Sequence, residues 1–192
     1  MTGTLLRASF AAGLVFLTLA PAFITPAWSA RAERGENIIL PGTGEAAPDF
    51  SLRDFKGKIF TLSELKGKKA VLLWFTNLCG GCQTKFGEME KLRDLYEKKG
   101  AEVIAVSILG KDKKTAEEII RKKKTTFRFL YDPEGKATKL FSGEFIPNTC
   151  PLQNIYIINR NARISYASHY PGAGEAEISG SLDKAVKGGK VK

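Results

Sequence analysis

Lys69-Ala70-Val71-Leu72-Leu73-Trp74-Phe75-Thr76-Asn77-Leu78-Cys79-Gly80-Gly81-Cys82 is an apolar run that ends in two cysteines two residues apart. The residues after it, 83–99, carry apolar side chains at helical spacing, with Phe86, Met89, Leu92 and Tyr96 on one face and Leu95 beside them. A buried strand that delivers two thiols to the start of a helix is a redox device. Helix N-termini present unpaired N–H groups and a partial positive charge, so a thiol placed there is drawn toward its thiolate. The two-residue spacing lets the second sulfur reach the first and displace a mixed disulfide.

A Cys-x-x-Cys alone could also be half of a zinc site or an inert structural disulfide. Zinc needs four ligands. The other candidates are Cys150 and the single histidine, His169, without ligand-like spacing between them. The strand-then-helix context favours redox chemistry, with no metal and no cofactor beyond the Cys79–Cys82 disulfide itself.

The N-terminus reads as a targeting segment, residues 1–29. Arg7 supplies the positive charge, Ala8 to Phe23 the apolar core, and no acidic residue occurs before Glu33. Ala27-Trp28-Ser29 suits cleavage after Ser29. The apolar core is shorter than the roughly 20 residues of a membrane span, although an uncleaved anchor stays open. Export to a periplasm-like compartment follows, and there a Cys-Gly-Gly-Cys dithiol oxidises unless a partner keeps it reduced. Residues 30–46 read as a linker, and 47–188 as one domain.

The formal net charge is +10. Lys111–Lys114 and Arg121–Lys124 flank a short helix in which Glu117 and Glu118 stand four residues before Arg121 and Lys122. A solvated helix face accounts for this, with a docking face for an acidic partner or anionic membrane as the alternative. Nucleic acid is excluded by export and by the lack of a base-stacking aromatic array.

Further out, Asp49–Leu52 and Ile59–Leu62 read as strands around a Lys56-Gly57-Lys58 turn, and Ser63–Leu65 as a helical turn. The central strand is Ala70–Phe75 and the main helix Cys82–Lys99, stopped by Gly100. Ala101–Leu109 is a strand covered on both faces, Ala116–Lys124 a helix and Phe127–Tyr131 a strand. A short helix runs to Phe141. Ile155–Ile158 and Ile164–Ala167 form a hairpin, and Glu175–Val186 a last helix. Strands alternating with helices and then a closing hairpin make an α/β sandwich on a mixed sheet. The cysteines stand at the carboxyl end of a central strand, where open α/β sheets place ligands.

Ala47-Pro48-Asp49-Phe50-Ser51-Leu52, Leu62–Lys68, Cys79-Gly80-Gly81-Cys82, Phe86 and Ile157-Ile158-Asn159-Arg160 together resemble the thioredoxin-like superfamily. More narrowly, the chain resembles exported thiol–disulfide oxidoreductases of the TlpA/ResA type and their redoxin and peroxiredoxin-like relatives. The resemblance implies a thioredoxin-like sandwich with an N-terminal β-extension. It implies Cys79 as the exposed nucleophile of low pKa, Cys82 as the buried resolving thiol, and a loop before Ile155 that holds substrate backbone through Pro151, Leu152 and Gln153. It also implies protein disulfide substrates, such as the haem-receiving cysteine pairs of c-type cytochromes, and a membrane electron-donor protein.

The chain departs from that pattern. Leu78 stands where Trp is usual, Gly80-Gly81 where a proline is frequent, Lys85 in an acidic place and Gly87 in a proline place. Matching hairpin to hairpin puts Gln153 at the usual cis-proline position, and Pro151 fits only with two extra strand residues. Lys85, one turn from Cys82, favours thiolate. Cys150 falls in the same loop, so it is expected near the active site, as a free thiol, a regulatory or intermolecular disulfide partner, or an extra resolving thiol. His169 reads as a surface or structural residue. Two competing functions remain. Thr76, three residues before Cys79, is the peroxiredoxin placement, although Leu72 replaces the proline expected before it. A copper carrier would use Cys79, Cys82 and a histidine.

Overall fold

The computed structural model describes residues 40–170 and 172–188. The expected targeting segment and residues 30–39 of the linker lie outside the described residues.

Seven strands form one sheet: β1 (Ser51–Asp54), β2 (Ile59–Thr61), β3 (Ala70–Thr76), β4 (Ala101–Ser107), β5 (Arg128–Tyr131), β6 (Ile155–Ile158) and β7 (Ile164–Ser168). Their order is β2-β1-β5-β4-β3-β6-β7. β3, β4 and β5 run parallel, while β6 is antiparallel to β3 and β7 to β6. The β1–β2 hairpin joins the far edge antiparallel to β5, which is the expected N-terminal extension. The helices are α1 (Gly80–Thr84), α2 (Phe86–Glu97), α3 (Lys113–Lys122), α4 (Lys136–Ser142) and α5 (Glu175–Lys187). The fold is thioredoxin-like.

β3 is buried at every residue because both faces are covered. Alternation sends Ala70, Leu72 and Trp74 to one side, where Phe86, Met89, Leu92 and Tyr96 of α2 and Ile178 and Leu182 of α5 pack. Val71, Leu73 and Phe75 meet Phe50, Phe60, Tyr156 and Phe141 on the other side. Trp74 makes edge-to-face contacts with Phe86 and Tyr170 at 5.8 and 5.4 Å, which fixes the strand that carries the cysteines.

Several sequence boundaries move. The main helix is broken at Lys85, whose N–H bonds to the Cys82 carbonyl three residues back (3.0 Å), a tightened turn that separates α1 from α2. Leu95 does not join the apolar face and is 51 % exposed, because the α2 stripe is completed by Tyr96 instead. α3 begins earlier than expected, since Asp112 caps it by accepting from the Thr115 N–H at 3.1 Å. At the entry to the domain, Gly44 and Ala47 donate backbone hydrogen bonds to the β6–β7 hairpin at Ile164 and Ala162.

Candidate active site

Cys79 is the N-cap of α1, with extended backbone (φ −61°, ψ 167°), and its sulfur accepts the Cys82 N–H at 3.4 Å. It is exposed, and Cys82, inside the first turn, is 2 % exposed. The turn from β3 into α1 is made at Leu78, in the left-handed region at φ 58°, at a cost of about 1 kcal/mol for a residue with a Cβ. Three interactions hold it there. The Leu78 side chain is buried, its N–H donates to Thr76 Oγ1 at 3.1 Å, and its carbonyl accepts from Gln83 Nε2 at 2.8 Å.

Asn77 organises the loop. Its Oδ1 accepts from the Cys79 N–H at 3.1 Å and from the Cys82 thiol at 3.4 Å. Its Nδ2 donates to the Asn148 carbonyl at 2.9 Å, in the loop between α4 and β6. Asn148 is itself left-handed, at φ 64°, and donates its N–H to the Ile108 carbonyl at 3.2 Å. That second loop carries Cys150, whose sulfur lies 3.8 Å from that of Cys82. Its far end is fixed by buried Asn154, which accepts the Phe75 N–H on its carbonyl and exchanges side-chain bonds with the Tyr170 backbone at 2.6 and 2.9 Å.

The expected substrate loop is beside these sulfurs. Pro151 is half-buried, its carbonyl 3.3 Å from His169 Nδ1; Leu152 is 91 % exposed and Gln153 is exposed. Lys85 is directed to Glu88 at 3.0 Å and over the Tyr170 ring at 5.4 Å. Its charge is therefore largely matched by a carboxylate. The second Glu88 oxygen and the Tyr170 hydroxyl are buried without partners. Burial first, and the nearby Glu88 carboxylate second, hold the Tyr170 phenol protonated well above its ordinary range.

Cys82 and Cys150 share a hydrogen bond and titrate as a pair. The bond to Cys150, reinforced by burial, pushes the Cys82 thiol up. The same bond, outweighing burial and helped by the Asn77 backbone and the Asn154 side chain, brings Cys150 down to about 7. Cys82 therefore keeps the proton and Cys150 ionises first, the single Cys82 S–H turning from Asn77 Oδ1 to the Cys150 sulfur as it does. Sequence reasoning placed Cys150 near the site. It missed Asn77, Gln83 and Asn154, whose only signal was that polar side chains flank an otherwise apolar run.

Among the described residues, no group of three or more His, Cys, Asp or Glu side chains is arranged to hold a metal ion. No described helix is long and apolar enough to cross a membrane.

Residues 43–167 match the AhpC/TSA family. The thiol–disulfide oxidoreductase ResA of Geobacillus kaustophilus is 29 % identical over 121 residues, covering 63 % of this chain and 66 % of ResA. The chloroplastic peroxiredoxin Q of Oryza sativa subsp. japonica is 31 % identical over 168 residues, covering 83 % of this chain and 74 % of its own. A structure described as a thiol:disulfide interchange protein DsbE from Chlorobium tepidum superposes with a TM-score of 0.64 at 25 % identity, over 76 % of this chain and 99 % of that one.

Proposed function

The chain belongs to the AhpC/TSA family and is a thiol–disulfide oxidoreductase, and we propose that Cys79 is its nucleophile and Cys82 its resolving thiol. The observation that carries this is the contrast between the two sulfurs, one exposed at a helix N-cap and the other buried one turn in. The Cys79 thiolate attacks one sulfur of a substrate disulfide and expels the other as thiolate. Cys82 then attacks the Cys79 sulfur of the mixed disulfide, releasing the reduced substrate and leaving Cys79–Cys82 oxidised. Asn77 Oδ1, which accepts the Cys82 S–H, orients that second thiol.

Exported proteins are the proposed substrates, with apocytochrome cysteine pairs as one class, and a membrane dithiol protein as the electron donor. The targeting reading of residues 1–29 supports export to the periplasm. Exposed Leu152 and Gln153 provide an edge against which extended substrate backbone can lie.

Peroxide reduction is the second reading, favoured by the likeness to peroxiredoxin Q. It requires Thr76 to serve the peroxide-reacting thiolate at Cys79. The Thr76 residue is fully buried and its hydroxyl accepts from the Leu78 N–H, which supports disulfide exchange instead. The test is insulin-disulfide reduction with a dithiol donor. Activity abolished by Cys79→Ser agrees with the proposal, and activity retained in that variant contradicts it.

A further inference from the structure

We propose that Cys150 is a third redox thiol: its thiolate attacks the Cys82 sulfur of the Cys79–Cys82 disulfide, moving the disulfide to Cys82–Cys150 and expelling Cys79 as thiolate. This rests on the reading of Cys79–Cys82 as the redox couple. One S–S bond breaks and one forms, with no net oxidation, so the step needs no outside oxidant.

Four observations carry it. The Cys82 and Cys150 sulfurs are 3.8 Å apart, so reaching disulfide length takes only ~2 Å of sulfur movement. The two loops are already tied together through Asn77 and Asn148, so the approach is not left to a free loop. The leaving sulfur of Cys79 receives the Cys82 N–H, which stabilises it as thiolate. The attacking sulfur belongs to a half-buried residue, whereas Cys82 is buried, so its thiolate keeps access to solvent.

The step gives the site two mouths. Cys79 opens beside Gly80 and Gly81, which are exposed. Cys150 opens into a cleft of about 190 Å³, lined by Thr138, Glu144, Ile146, Thr149 and, from the substrate loop, Pro151 and Leu152. Ile146 is 52 % exposed there. Once the disulfide is Cys82–Cys150, a dithiol donor attacks the Cys150 sulfur from this cleft. It leaves as its own disulfide and restores both chain thiols. Substrate and donor then meet different sulfurs.

The test oxidises the reduced full chain with glutathione disulfide, quenches it in acid, alkylates the remaining thiols and maps disulfides by tandem mass spectrometry. The relay predicts chains with Cys82 linked to Cys150 and Cys79 alkylated, in at least about a tenth of the population, the share left by a roughly 1.4 kcal/mol bias toward Cys79–Cys82. It also predicts that Cys79→Ser, oxidised with diamide, forms Cys82–Cys150. A smaller share, a Cys79–Cys150 link, or no link in Cys79→Ser overturns the relay while leaving the Cys79–Cys82 couple standing. Failure to form any disulfide at Cys79 or Cys82 in the unaltered chain overturns both.

Discussion

The side-chain amide of Asn77 donates to the carbonyl of Asn148 at 2.9 Å across 71 residues of sequence. That bond joins the loop that presents Cys79 to the loop that presents Cys150. The Asn77 oxygen meanwhile holds the Cys79 N–H and the Cys82 thiol. Asn77→Ala should therefore cost about 1–2 kcal/mol of stability, the worth of one or two net hydrogen bonds in a partly buried setting, and slow insulin reduction. Urea denaturation and an insulin turbidity assay check both effects. Unchanged stability together with unchanged activity would remove Asn77 from the account.

Cys150 supplies a pH prediction. Its thiol is lowered to about 7, so its reactive thiolate is present above that pH and is lost as pH falls through it. An ordinary thiol makes that transition near about 8.5. In Cys79→Ser, Cys82 is buried with its thiol pushed up and stays silent, so iodoacetamide reports Cys150 alone. Half-maximal alkylation should fall near pH 7, or slightly lower because the repelling charge of Cys79 is gone. A midpoint at the ordinary thiol value would contradict the shared hydrogen bond with Cys82.

Lys85 reaches Glu88 at 3.0 Å. Lys85→Glu would set two carboxylates one turn apart beside the buried, unpartnered Glu88 oxygen and add negative charge near the thiols. The couple should become more reducing, because thiolate in the dithiol form is disfavoured, and stability should fall. A glutathione redox titration reads the first effect and thermal melting the second. A more oxidising potential would contradict this assignment for Lys85.

Much of this site was legible in the sequence because it depends on local pattern. An apolar run ending in Cys-x-x-Cys before a helical stripe dictates a strand that delivers thiols to a helix start, and matching the closing hairpin carried Cys150 to the same end of the sheet. What was not legible depends on long-range pairing or on one backbone angle. Nothing in the residues around Leu78 announces φ 58°, which arises because Gln83 and Thr76 satisfy its peptide groups. The partner of the Asn77 amide is in another loop. The break at Lys85 is set by a single three-residue hydrogen bond that apolar periodicity does not record. The early start of α3, by contrast, was available in Asp112, a good capping residue followed by helix formers.

Thr76 separates the two chemistries. Its hydroxyl accepts the Leu78 N–H, while the buried Leu78 side chain and the Gln83 amide also hold that turn, so Thr76→Val should leave insulin reduction within about twofold, a change of less than roughly 0.5 kcal/mol in the barrier. Rapid hydrogen-peroxide consumption that disappears in this variant would assign the catalytic role to peroxide reduction.

In the proposed cycle Cys79 attacks and Cys82 releases, and the Cys82→Ser variant separates the two steps. The variant is mixed with a disulfide-bonded exported protein, quenched in acid and mapped by mass spectrometry. Disulfide exchange predicts that a covalent mixed disulfide accumulates on Cys79, because its resolving thiol is missing. The account is contradicted if no such adduct forms, or if the adduct is on Cys150 with Cys79 unmodified.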